Sequence, residues 1–307
     1  MLFEKILNEK HQLLWPQFEK LYELIQQNQT HFGDLLLVVI NGFHNPDVNN
    51  WDNVEEKMSP YVFGKSVDGW AENTHYDFIG NYIHGNILKD DPEEYAIKFI
   101  YSEERKKEID ALQFSEAISI QTEMLIYIKI WESDTFIKKL SQLVALLNRE
   151  PYEWHLTLSG TGKHAHISRS QFIKEKIIKR LKLHLPILHN SFQKSYLTQV
   201  RNAIAHSQYS ILGRHIQLNN FKEGSTNSNL RVLNSDEWSD IFHETLVLYT
   251  CYHKLLRAVN KKYGELAIQN GKSFEIRINR KDPIQDTEFR GIYYDDFFES
   301  WNWQPEK

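Results

Sequence analysis

Apolar residues recur at three- and four-residue intervals along most of the chain, and that spacing predicts helices. Ile6, Leu14, Phe18, Leu21 and Ile25 mark one face of a helix over 3–29, which Pro16 is expected to break or kink. A β-branched, aliphatic run over 34–43 predicts a buried strand. The Asn-, Asp-, Pro- and Gly-rich stretch 45–70 predicts loops, followed by a mixed region to about residue 90. Helical spacing then dominates. One long helix or two are expected over 103–131. A further helix over 134–148 carries Phe136, Leu140, Leu143, Val144 and Leu147 on one stripe, with Glu132-Ser133-Asp134 as its capping segment.

A long loop with Gly160 and Gly162 leads to a helix over 170–188, kinked near Pro186. The next helix is expected over 191–207, with Phe192, Tyr196, Val200 and Ile204 in four-residue steps. Residues 209–218 alternate around Gly213-Arg214 as a hairpin does. A long final helix begins near Ser235-Asp236 and keeps Ile241, Thr245, Leu248, Tyr252, Leu255 and Val259 together. Strands over 273–278 and 289–294 flank Pro283. The expected fold is mainly α. It comprises an N-terminal α/β module (1–104) with a regulatory or sensing role, a helical bundle (105–265), and a C-terminal β extension packed on the bundle (266–307).

Hydrophobic and charged contents of 41% and 25% are those of a soluble globular protein. The longest aliphatic run, 35–40, is too short to cross a bilayer, so no membrane partner is expected. Charged residues within Met1-Leu2-Phe3-Glu4-Lys5 argue against a secretory signal, and a lone Cys251 fits a reducing cytoplasm.

The net charge of −5 hides an uneven distribution. Residues 161–231 hold 12 Lys+Arg against 2 Asp+Glu, whereas the remainder holds 24 against 39. Such a basic stretch marks a polyanion-binding face or the solvated side of a helix. Lys174, Lys176, Lys179 and Arg180, together with Arg214, are the candidate polyanion contacts.

Within this stretch lies Arg201-Asn202-Ala203-Ile204-Ala205-His206. Arginine, one polar residue, three further residues and histidine, on a helix between bundle helices, resembles the signature of the HEPN superfamily. The resemblance implies a four-to-five helix bundle that dimerises and cuts RNA without metal or cofactor, leaving a 2′,3′-cyclic phosphate and a 5′-hydroxyl. It makes Arg201 and His206 the catalytic pair and Asn202 their polar support, with Glu132 or Asp134 as an acidic residue opposite. It also implies a toxin or anti-phage defence effector, with an antitoxin or phage-derived trigger as a possible partner; the alternative is a silent dimerisation or RNA-binding scaffold. Some members carry a tyrosine two residues beyond the histidine that a partner enzyme modifies. Here that position is Gln208 and the tyrosine is Tyr209, so this control does not carry over directly; Tyr209 stacks on a base or packs in the hairpin.

The residue types suit the chemistry on their own terms. An arginine fork matches phosphate oxygens and never loses its charge, and histidine moves protons near neutral pH. The helix C-terminus expected at His206 presents its negative dipole end, the polarity a general acid needs. On an ideal helix Arg201 and His206 point about 140° apart, so either the arginine reaches round or a second subunit completes the site.

Other signals are weaker. His164-Ala165-His166 and the Cys251/His253 pair lack the further ligands a metal site needs, so no metal is expected. Gly160-Thr161-Gly162-Lys163 lacks the spacing of a nucleotide loop. The aromatic tail over 293–303 is expected to dock on the core.

Overall fold

The computed structural model describes residues 1–50, 59–64, 67–158, 167–226, 228–281 and 287–304. It is mainly helical, with 59% helix and 15% strand in small sheets. The helices are α1 (Glu4–Asn28), α2 (Asp34–Ile40), α3 (Val67–Asn86), α4 (Pro92–Ile97), α5 (Lys106–Trp131), α6 (Asp134–Leu147), α7 (Arg169–Phe172), α8 (Lys179–Leu181), α9 (Pro186–Ser195), α10 (Thr198–Ala205) and α11 (Ser235–Gln269). A π-helical turn, Ile173–Ile178, joins α7 to α8. The strands are β1 (Leu2–Phe3), β2 (Gly42–His44), β3 (Tyr61–Phe63), β4 (Ile87–Leu88), β5 (Tyr209–Leu212), β6 (His215–Leu218), β7 (Val232–Asn234), β8 (Ser273–Asn279), β9 (Thr287–Asp295) and β10 (Ser300–Trp303).

Two compact units form, each from three separated segments, so they do not follow the sequential division at 104 and 265. The first comprises Met1–Gln17, Thr74–Ser133 and Pro186–Cys251. Here α10 packs on α5, β1 pairs in parallel with β4, and β5, β6 and β7 make an antiparallel sheet that extends the expected hairpin. Its core is aromatic: Tyr127 meets Trp238 at 5.6 Å and Trp131 meets Tyr196 at 4.9 Å. Glu123 is fully buried among these rings and accepts a 2.7 Å bond from Trp238 Nε1. A buried carboxylate persists only with such donors around it.

The second unit comprises Phe18–Asn73, Asp134–Leu185 and Tyr252–Lys307. In it α2 packs on α6, β2 pairs with β3, and β8, β9 and β10 form an antiparallel sheet in the order β10-β9-β8. Trp301 and Tyr294 are buried, as expected of a docked tail, while Phe297 and Phe298 at the β9–β10 turn stay exposed. Trp154 is buried against Gly42, where an added Cβ would lie 2.7 Å from the indole ring. The Tyr152 hydroxyl closes that corner with a 2.6 Å bond to the Gly42 carbonyl.

The expected strand over 34–43 is instead helix α2 followed by β2. Nearly every residue of α2 is buried, so no polar face reveals its period, and a fully apolar run reads alike in either state. The Asp34 carboxylate takes the His31 N–H at 3.2 Å at the start of the helix, and Asn41, in the left-handed region at φ 51°, ends it. The region expected as loops and mixed structure contains β3 and α3; much of the rest, 51–58, lies outside the described residues. Residues 106–131 form one helix, and Pro16 sits inside an unbroken α1. The expected kinked helix over 170–188 is a π-interrupted helix, and Pro186 starts the next one, where its missing N–H is harmless.

Candidate functional site

The motif helix is shorter than its hydrophobic stripe. Phe192, Tyr196, Val200 and Ile204 are all buried, as the spacing requires. The chain nevertheless breaks at Leu197, which is extended (φ −103°, ψ 106°), so α9 and α10 are separate helices rather than one over 191–207. Tyr127 causes this locally: its buried hydroxyl accepts the Leu197 N–H at 3.2 Å and donates to the Ser195 carbonyl at 2.9 Å. Burial raises the Tyr127 pKa, keeping the phenol protonated as a donor.

Helix α10 then closes in a Schellman arrangement. Ser207 is left-handed at φ 52°. Its N–H bonds to the Ile204 carbonyl at 3.2 Å, and the Gln208 N–H bonds to the Ala203 carbonyl at 2.7 Å. His206 is therefore the C-cap residue (φ −107°, ψ 12°), outside the regular helix and exposed to solvent. Among the described residues its imidazole makes no hydrogen bond or ion pair.

Arg201 is held on two sides. Its Nε and Nη2 both reach Glu132 Oε1, and Nη1 donates to Asn202 Oδ1 at 2.8 Å. The hydrogen bond and charge of Glu132 raise the Arg201 pKa further against partial burial. The pair stays in contact with water, with 20% of the Arg201 and 32% of the Glu132 side chain exposed. A guanidinium carries five N–H groups in a fixed fork, so each terminal nitrogen keeps a second N–H for a ligand. Glu132 is the C-cap of α5, which places the carboxylate beside α10 because those two helices pack together.

The structure thus brings together Arg201, Asn202 and Glu132, three of the residues singled out by sequence. Asp134 lies in the other unit, ion-paired with Arg169. Tyr209 begins β5, half-buried and opposite Leu218. Arg214 does not stand open on a polyanion-binding face. It pairs with buried Glu116 at 3.2 Å and with Asp236 at 2.8 Å, and lies over the Phe99 ring at 4.6 Å. A carboxylate as buried as Glu116 requires such a counter-charge, and a sequence-local charge count has no access to that demand.

The remaining basic candidates belong to the second unit. Lys179 pairs with Glu175 at 2.9 Å and Arg180 with Glu150 at 2.8 Å, while Lys174 and Lys176 form no ion pair among the described residues. They lie on and beside the π turn, whose wide hydrogen bonds interrupt α-helical spacing. His164 and His166 lie outside the described residues, and Cys251 is buried. Among the described residues no group of three or more His, Cys, Asp or Glu could hold a metal, and no helix is long and apolar enough to cross a membrane.

Sequence reading missed a cleft of about 860 Å³ lying wholly within the second unit. One wall carries Lys139, which is almost fully buried and bonded to Glu72 Oε2 at 2.6 Å; Glu72 Oε1 accepts the Tyr252 hydroxyl at 3.0 Å. Burial pushes the Glu72 carboxyl up, but Lys139, His253 and Tyr252 outweigh it and leave the pKa below its usual value. His253 is buried beside them. Desolvation, aided by Lys139 and Arg257 against Glu72, lowers its pKa to about 4 and holds it neutral. The only sequence signal was His253, Arg257, Lys261 and Glu265 at four-residue steps, which reads equally well as a solvated helix face.

Comparison with protein-family models, with curated proteins and with solved structures finds no match.

Proposed function

We propose that the chain is a metal-independent endoribonuclease of the HEPN type that works as a homodimer on RNA, as a toxin or defence effector. One observation carries this reading: Glu132, from the preceding long helix, orients Arg201 while Asn202 steadies its other edge and His206 is left exposed at the helix end. In this scheme the outer N–H groups of Arg201 hold phosphate oxygens and offset the charge of the phosphorane. His206 transfers a proton to or from the reacting oxygens, and Glu132 is a positioning residue. A dimer supplies a second exposed His206 to the same RNA track.

A second reading, a silent scaffold, is favoured by the same ion pair, because a guanidinium engaged on both sides also serves as a helix-to-helix brace. RNA incubated with the wild type, Arg201→Ala, His206→Ala and Glu132→Gln in chelator separates the two. The nuclease reading expects cutting to 2′,3′-cyclic phosphate ends by the wild type and a loss of about 10²–10⁴-fold in His206→Ala. His206 makes no side-chain bond among the described residues, so that loss would not reflect unfolding. RNA left intact by all four proteins supports the scaffold, and cutting that persists in both alanine variants overturns the assignment.

A further inference from the structure

The second unit's cleft has a charge order that the nuclease reading does not use. Helix α11 presents His253, Arg257, Lys261 and Glu265 to it in four-residue steps, each about 6 Å further along the axis. The face therefore runs from basic to acidic. Arg257 and Lys261 are both exposed, and among the described residues Lys261 has no ion pair. Two cations one helical turn apart, a planar fork and a point charge, are each suited to bind a phosphate group.

The other end is acidic and hydrogen-bonding. Glu265 is exposed on α11, and Glu299 stands on the β9–β10 turn. That turn is fixed to α11: Trp301 Nε1 donates to Asn260 Oδ1 at 2.9 Å, and Asn260 Nδ2 donates to the Glu299 carbonyl at 3.2 Å. Tyr294 presses so closely on α11 that a Cβ at Gly264 would lie 2.6 Å from its ring. The acidic end is thus held in register with the basic one. About 12 Å of helix separates Arg257 from Glu265, and about 6 Å separates Lys261 from it. An elongated ligand with an anionic head and hydroxyl or amine donors at the other end matches this order. The volume, about 860 Å³, lies in the range of small-molecule sites. The buried Glu72–Lys139 pair and neutral His253 in the wall mark a polar site rather than a gap between side chains.

We infer that this cleft binds a ribonucleotide, its phosphate between Arg257 and Lys261 and its hydroxyl or base amine groups toward Glu265 and Glu299. The inference does not rest on the nuclease reading, because no residue of the Arg201 cluster takes part.

Titration calorimetry on the full chain tests it with AMP, GMP, CMP and UMP, and with adenosine, guanosine, cytidine, uridine and inorganic phosphate. At least one monophosphate binds saturably, and its nucleoside and phosphate alone bind about tenfold or more weakly. Arg257→Gln and Lys261→Glu each weaken that monophosphate about tenfold, whereas Lys20→Glu, an exposed site outside the cleft, does not. Both cleft positions are exposed, so circular dichroism should show intact folds. Absence of saturable binding by all four monophosphates overturns the inference. So does a nucleoside that binds as well as its monophosphate, or wild-type affinity in both cleft variants.

Discussion

Tyr127, near the C-terminal end of α5, grips the backbone of Leu197 through a 3.2 Å bond from the Leu197 N–H to the phenol oxygen. The same hydroxyl donates to the Ser195 carbonyl at 2.9 Å, so one side chain satisfies both backbone groups at the α9–α10 break. The break sets where α10 starts and hence the level at which Arg201 meets Glu132. Orientation of the candidate site is in this way tied to a buried phenol that, among the described residues, hydrogen-bonds to neither side chain.

Removing that oxygen should be costly. Tyr127→Phe keeps the ring but leaves the half-buried Leu197 N–H and the buried Ser195 C=O without their partner, and should destabilise the protein by about 1–3 kcal/mol in urea unfolding. An unchanged midpoint would show that water takes over the bridge and that the phenol does not set the break.

The end of α10 should respond in the opposite direction. Ser207 holds φ 52°, a conformation that costs an L-residue about 1–2 kcal/mol and glycine almost nothing. Ser207→Gly should therefore raise stability by about 0.5–1 kcal/mol after glycine's greater unfolded-state freedom is counted. A lower melting temperature in this variant would refute the helix-ending geometry.

Acid should weaken the fold before the carboxylates titrate. Burial, with the Ser239 carbonyl opposing it, lowers the His243 pKa to about 4, and His253 is lowered to about 4 mainly by burial as well. The unfolded chain binds these protons near pH 6.5 and the folded one only near pH 4. Their contribution is therefore complete above pH 6.5 and is lost as pH falls from there toward 4. At pH 5 each imidazole should account for roughly 2 kcal/mol of lost stability relative to pH 8. Urea midpoints at the two pH values measure it. His253→Gln should reduce the difference by about that amount, and an undiminished difference would place the titration elsewhere.

Helices over 106–131 and 134–147, the 209–218 hairpin, the last long helix and the C-terminal strands were legible in the sequence, because apolar residues recur there at helical steps or in alternation between turn signals. Arg201, Asn202 and Glu132 were legible as residue types. Tertiary structure alone decided that the run after Asp34 is a helix, since burial on all sides erases the period. It alone split 191–207, because the deciding hydroxyl comes from some 70 residues away. Arg214's commitment to Glu116 and the cleft around Lys139 are likewise products of long-range contact: a charge's role depends on what lies opposite it, and linear order does not record that.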